Sequence, residues 1–152
     1  MRPIITILSV FAIILMNSCN KSSDHNFKRI VFDPEGLQVV TSSVNKKLET
    51  MSILYGNAEA YSAALSAEST HAAGEKYTFV TWKYDENPLW YGTTINGELL
   101  CVERVQVFSL DDGKLKIDYQ IKLGKPLPVN GEILNQQDRI DYILEHKPSV
   151  MP

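Results

Sequence analysis

The chain has 152 residues, of which 44% are hydrophobic, 22% charged and 9% aromatic. That is the balance of one globular domain with a single core, and it argues against disorder and against several domains. Fifteen basic against eighteen acidic side chains leave a net charge of -3, so no basic surplus exists to displace counterions from a nucleic-acid backbone, and no nucleic acid is expected as a partner. Two cysteines and three scattered histidines supply neither a disulfide framework nor a four-cysteine zinc site.

Met1-Arg2 places one positive charge before IITILSVFAIILM (residues 4–16), which only Thr6 and Ser9 interrupt, and Asn17-Ser18-Cys19 follows. In a helix this run reaches about 20 Å, short of the ~30 Å of a hydrocarbon core. It therefore reads as a secretory signal over residues 1–18 rather than as a membrane span. Leu15, Met16 and Ser18 ahead of Cys19 resemble a bacterial lipoprotein cleavage site, where the cysteine sulfur takes a diacylglyceryl group. The expectation is a palmitate-type lipoprotein held to the lipid bilayer of the cell envelope through acylated Cys19 and facing the periplasm, since several acyl chains together give a stable anchor. The alternative is a plain secreted protein cut near Ser18 with Cys19 as a spare thiol. Residues 19–28 are polar and aperiodic and read as a tether, in which His25 is expected to be solvated.

From Leu37 the pattern is that of strands. LQVVTSSV (37–44) and LETMSILYG (48–56) flank Asn45-Lys46-Lys47 and are expected to pair as a hairpin. Asn57 offers an N-cap to the helix-favouring AEAYSAALSAES (58–69), with Tyr61, Ala64 and Leu65 on one face. KYTFVTWKY (76–84) is the next strand. Asn87-Pro88 marks a turn, after which LWYGTTI leads to Asn96-Gly97, a hairpin dipeptide, and the return strand covers residues 98–110. After Asp111-Asp112-Gly113, residues 114–123 alternate apolar Leu115, Ile117, Tyr119, Ile121 and Leu123 with polar neighbours, predicting one wet and one dry face. From Gly131 a final helix is expected to carry Ile133, Ile140, Ile143 and Leu144 on one stripe before Pro148 stops it.

The resulting order, β-β-α-β-β-β-β-α with short connections, predicts an α+β domain built on a mainly antiparallel sheet with two helices over residues 29–152. In the 76–84 strand Tyr77 and Phe79 lie on one face and Val80, Trp82 and Tyr84 on the other. Both faces want cover: a helix on one, and a partner subunit, a second sheet layer or an apolar ligand on the other.

The densest candidate for binding is aromatic, with Trp82, Tyr84, Trp90 and Tyr91 around the 85–88 turn. Such side chains line pockets and interfaces, and equally hold hairpins together as cross-strand pairs. Glu103 and Arg104 interrupt an apolar strand and must point to opposite faces. The more buried of them needs a partner such as Lys83, or marks a polar group in a pocket for a small-molecule ligand. Cys101 reads as a small buried hydrophobe with nothing nearby to activate its thiol. His71 and His146 read as surface residues and are weak candidates for metal ligands. No Ser-His-Asp grouping, catalytic carboxylate pair, phosphate-binding glycine loop or HExxH spacing is present in the sequence. No metal site is expected and no reaction is specified.

Three stretches carry a family likeness: TMSILYGNAEAY (50–61), AGEKYTFVTWKYDENPLWYGTTINGELLCVERV (73–105) and the ending KPSVMP (147–152). Together they resemble the cytochrome P-460 family, and more narrowly its envelope-targeted relatives with Leu-Tyr-Gly-Asn, Val-Thr-Trp and Trp-Tyr-Gly elements. The resemblance implies an antiparallel sheet with helices, commonly paired as a homodimer. Haem-bearing members of the family attach their cofactor through Cys-x-x-Cys-His near the C-terminus, whereas GEILNQQDRIDYILEHKPSVMP (131–152) holds no cysteine. Covalent haem and the hydroxylamine oxidation that depends on it are therefore not expected. The resulting expectation is a ligand-binding or interaction module, with a redox or gas-binding protein holding non-covalent haem through His71 or His146 as the alternative.

Overall fold

A computed structural model of the chain describes residues 32–66, 70–87 and 91–148. Cys19, His25 and Trp90, together with the signal and tether segments, lie outside the described residues. The elements are β1 (Gln38–Asn45), β2 (Thr50–Gly56), α1 (Ala58–Leu65), β3 (Lys76–Glu86), β4 (Thr94–Ser109), β5 (Leu115–Gly124) and α2 (Gln136–Leu144). The strands form one antiparallel sheet in sequential order, β1-β2-β3-β4-β5. This is the expected α+β architecture with five strands rather than six.

The β1–β2 turn is set by Asn45, whose Oδ1 accepts from the backbone N–H groups of Lys47 (3.1 Å) and Leu48 (3.2 Å). That local turn, with Glu49 left-handed at φ 52°, starts β2 at Thr50. At the other end of β2, Asn57 caps α1 as expected. Its Oδ1 accepts from Ala60 N–H (3.1 Å) and from Lys76 N–H (3.0 Å), and its Nδ2 donates to the Gly74 carbonyl (2.8 Å). One side chain thus satisfies a helix start and fixes where β3 begins. The helix ends at Leu65 and buries Ala60 and Ala64. Leu65 is exposed instead of sharing their face, because the small Ala60 and Ala64 set the line of contact and Leu65 lies off it.

The expected hairpin at Asn96-Gly97 does not form. The chain reverses earlier, where Asn87 N–H donates to Thr93 O (2.9 Å), and β4 runs through Asn96 and Gly97 without a break. Tyr84, Asp85 and Glu86 of β3 pair with Asn96, Ile95 and Thr94. The glycine answers a different demand: a Cβ at position 97 would overlap the Asp85 carboxylate. The pairing shifts register on both sides of Trp82, as bulges do where one strand carries an extra residue and twists. A matching constraint holds at the end of β5, where Gly124 has φ +70° and a Cβ would overlap the Leu100 carbonyl.

Both helices cover one face. Leu54, Tyr77, Phe79 and Val105 of the sheet meet Ala60 and Ala64 of α1 and Ile140, Ile143 and Leu144 of α2. α2 begins at Gln136 behind an Asn135 cap, which accepts from Asp138 N–H (3.0 Å), rather than at Gly131. A tight turn bridging Val129 and Glu132 occupies the preceding residues and leaves Ile133 exposed. On the opposite face Phe32, Leu37, Ile53 and Leu99 pack around Tyr55, Val80, Trp82 and Val102. The second cover for β3 is therefore supplied in part by the chain's own residues 32–37. Beyond it, β5 is less dry than its alternation predicts. Leu115, Ile121 and Leu123 are exposed, and only Ile117 and Tyr119 reach the helix-side core, as befits an edge strand.

Candidate functional site

Glu103 and Arg104 sit on opposite faces of β4, as alternation requires, and their surroundings differ sharply. Glu103 lies opposite Phe79 on the helix-covered face and is 0% exposed. Its partner is Arg139 from α2, 4% exposed, and not Lys83. Arg139 presents one edge of its guanidinium, with Nε donating to Glu103 Oε1 (2.9 Å) and Nη2 to Oε2 (2.6 Å), while Nη1 donates to the Leu127 carbonyl (3.3 Å). The Tyr119 hydroxyl adds a third donor to Glu103 Oε1 (2.6 Å). Rings of Tyr142 and Phe79 lie 5.1 and 5.5 Å from the guanidinium carbon. Burial opposes the charge on Arg139, and the hydrogen bonds and attraction from Glu103 more than offset it, raising its pKa. The network is closed to solvent and satisfied on every side, which is how a structural ion pair is kept.

Cys101 lies on the same face and is buried. Burial first, and then the Glu103 carboxylate, push its thiol up to about 12. The thiolate, the form that attacks or binds metal, is suppressed there.

Neither histidine is a plain surface group. His71 Nδ1 is 2.8 Å from Oε2 of Glu75, a carboxylate that is 1% exposed. Glu75 also accepts from the Tyr77 hydroxyl (3.0 Å) and from Ala72 N–H (2.5 Å). With Nδ1 engaged, Nε2 is the nitrogen left for other partners, the arrangement in which a carboxylate orients a ligating imidazole. A cleft of about 480 Å3 beside α1 is lined by Ala58, Ser62, Ala63, Thr70 and Glu75 among others. His146 is half-buried, with its ring centroid 4.7 Å from that of Tyr142 and 5.4 Å from that of Phe79, and Nδ1 2.6 Å from the Tyr142 carbonyl. Burial lowers its pKa below the ordinary value.

The aromatic candidates do not converge. Trp82 is a core residue on the uncovered-by-helix face, 6.3 Å between ring centroids from Phe32, and Tyr91 is fully exposed in the β3–β4 turn. Trp90 lies outside the described residues. Arg104 faces open ground. Its Nη2 donates to Glu35 Oε1 (2.7 Å), and it borders two adjoining clefts. One of about 340 Å3 includes Glu35, Asn57, Lys76, Thr78, Arg104 and Gln106, and the other, about 150 Å3, runs on through Gln106, Asp118, Gln120 and Lys122.

No protein-family model matches this chain, and no curated protein matches it either.

The geometry therefore carries the assignment of a site. On the helix face Glu103 and Cys101 are sealed in the core, whereas His146 is half-buried and the His71–Glu75 pair borders the cleft beside α1. The open trough on the other face presents Arg, Lys, Gln and Asn side chains together with the carboxylates of Glu35 and Asp118, a set of groups able to hold and orient a polar ligand. No group of three or more His, Cys, Asp or Glu residues able to hold a metal occurs among the described residues. No helix among them is long and apolar enough to cross a membrane.

The sequence missed Arg139 and Glu75. Arg139 falls beside Ile140 and four residues before Ile143, on the apolar stripe of α2, and that position was the available signal for a buried cation. Glu75 carries no periodicity signal, because it stands in the short loop ahead of β3.

Proposed function

We propose that this protein is a lipid-anchored bacterial envelope protein, attached through Cys19 and facing the periplasm, whose cytochrome P-460-like α+β domain binds a small ligand without covalent haem. The anchoring part is supported by the charged start, the short apolar run and the cysteine directly after Ser18. The observation that carries the binding part is the separation just described. Glu103 and Cys101 are buried behind the helices, and the accessible clefts around Arg104 combine Arg104, Lys76, Lys122 and amide side chains with the carboxylates of Glu35 and Asp118.

The expected result in fractionated cells is wild-type chain with the membranes and Cys19→Ala chain released from them. Retention of Cys19→Ala in the membrane fraction would defeat the anchoring reading. Full-length protein purified in detergent after growth with haem supplied is expected to show no Soret band.

A second reading, non-covalent haem on a histidine, is favoured by one observation, the Glu75 carboxylate holding His71 Nδ1. A stoichiometric Soret band abolished by His71→Ala would establish it in place of the first.

Pairing of two copies belongs to the same proposal, with β5 as the contact. A two-fold antiparallel register centred on Ile117 sets Lys116 of each copy against Asp118 of the partner subunit. The same register sets Leu115 against Tyr119 of the partner subunit. Sizing of the detergent-solubilised chain against an Asp118→Lys variant reads this directly, since the variant places like charges opposite each other and is expected to run as a monomer.

A further inference from the structure

Among the described residues two arginines meet carboxylates, and they do so unequally. Arg139 uses both donors of one guanidinium edge, Nε and Nη2, on the two oxygens of Glu103. Arg104 uses only Nη2, on Glu35, and its Nε is buried with no hydrogen-bond partner. An orphaned donor next to a charge is costly, and it marks a place where an acceptor belongs. The missing acceptor is defined by the fork: a carboxylate or phosphate that bridges Nε and Nη2 side by side.

Glu35 is poorly suited to be the permanent occupant. It sits at the tip of a turn closed by Leu37 N–H to Pro34 O (3.0 Å), with its backbone in the left-handed region at φ 54°. Its side chain is 65% exposed. A single contact from an exposed, conformationally disfavoured residue contributes little and exchanges readily. Lys76 and Gln106 line the same cleft, and Lys122 and Gln120 continue it beyond Arg104. The trough therefore sets the cations Arg104, Lys76 and Lys122 against the carboxylates Glu35 and Asp118, of which Asp118 already accepts from Gln120 Nε2 (2.6 Å) and Lys122 donates to Gln120 Oε1.

We infer that Arg104 is the anchor of a site for a small oxyanion, and that Glu35 closes the site in the empty protein by standing in for one ligand oxygen. Binding exchanges one carboxylate contact for a two-pronged one. The incoming oxyanion accepts from Nε and Nη2, and Glu35 turns out to solvent with its charge hydrated. The inference deepens the ligand-binding reading and rests on it by naming the ligand's chemical class and the residue that competes with it.

The test is calorimetric titration of the full-length chain in detergent with succinate in one arm and inorganic phosphate in another, which separates a carboxylate from a phosphate ligand. Glu35→Gln, which keeps the shape and removes the competing charge, is expected to bind one probe about tenfold tighter than wild type. Arg104→Gln is expected to lose at least about tenfold, and Arg104→Lys to behave like it because an ammonium has no edge. Circular dichroism of each variant checks folding, and the gain in Glu35→Gln needs no folded Arg104 variant to be read. Failure of both probes to bind Glu35→Gln overturns the inference, and so does binding that Arg104→Gln leaves unchanged. Binding of glycerol that depends on Arg104 would overturn the oxyanion assignment while leaving the ligand-binding reading in place.

Discussion

Glu103 and Arg139 are held in the interior by each other, by Tyr119 and by one backbone carbonyl. Removing one partner strands the other charge out of water, so Arg139→Met is expected to cost about 3–5 kcal/mol. The paired replacement Glu103→Leu with Arg139→Met removes the stranded charge and is expected to recover more than half of that loss. Urea unfolding of the two variants and the wild type checks both outcomes, and equal losses in the single and paired variants would show that the pair itself is the source of stability. The same scale carries a pH dependence. His146 titrates lower in the folded chain than in the unfolded one because burial disfavours its charge. Above the unfolded value of ~6.5 both states are neutral and this residue adds no pH dependence. As the pH falls below that value the unfolded chain takes up the proton first, and stability is lost down to the folded pKa. His146→Phe, which keeps a ring against Phe79 and Tyr142, is expected to flatten the fall in melting temperature between pH 7.5 and pH 5.

At the scale of elements, local signals and long-range demands can be told apart. Asn57 was legible because a cap acts within four residues, and the side chain does what the sequence suggests. Its further bonds to Lys76 N–H and the Gly74 carbonyl depend on β3 returning beside β2, and no local pattern announces them. Asn57→Ala therefore removes a cap and two strand-setting bonds, and a loss of about 2 kcal/mol in urea unfolding is expected, the upper end for a cap alone. Asn96-Gly97 misleads for the complementary reason. A two-residue turn motif and an Asn-Gly pair inside a continuous strand look identical in one dimension, and only the pairing of Tyr84, Asp85 and Glu86 with Asn96, Ile95 and Thr94 distinguishes them. The half-exposed apolar side of β5 was legible as alternation and illegible as exposure, because burial there depends on how far α2 extends over the sheet. The candidate site was partly legible as well. Arg104 stood out as a charge in an apolar strand, while its contact with Glu35 joins residues 69 positions apart.

For the whole molecule, the sheet has one face closed by two helices and the other closed over only part of its width by residues 32–37. Phe32 bridges Tyr55 and Trp82, with ring centroids 5.6 and 6.3 Å away. Phe32→Ala opens this corner, and the expected result is increased acrylamide quenching of tryptophan fluorescence together with a stability loss of about 1–3 kcal/mol. Unchanged quenching would mean that Trp82 is shielded by other residues and that the 32–37 cover is dispensable.

Phe32 and Glu35 also come before every strand in the chain, so load applied at the amino end reaches them first. Twelve residues separate Cys19 from Phe32, a stretch of sequence that can reach no further than about 40 Å. A pull from that end is expected to part Phe32 from Trp82 first and Glu35 from Arg104 next. The five-stranded ladder lies behind both contacts, so the expected first response of the molecule to such a load is to uncover its own arginine.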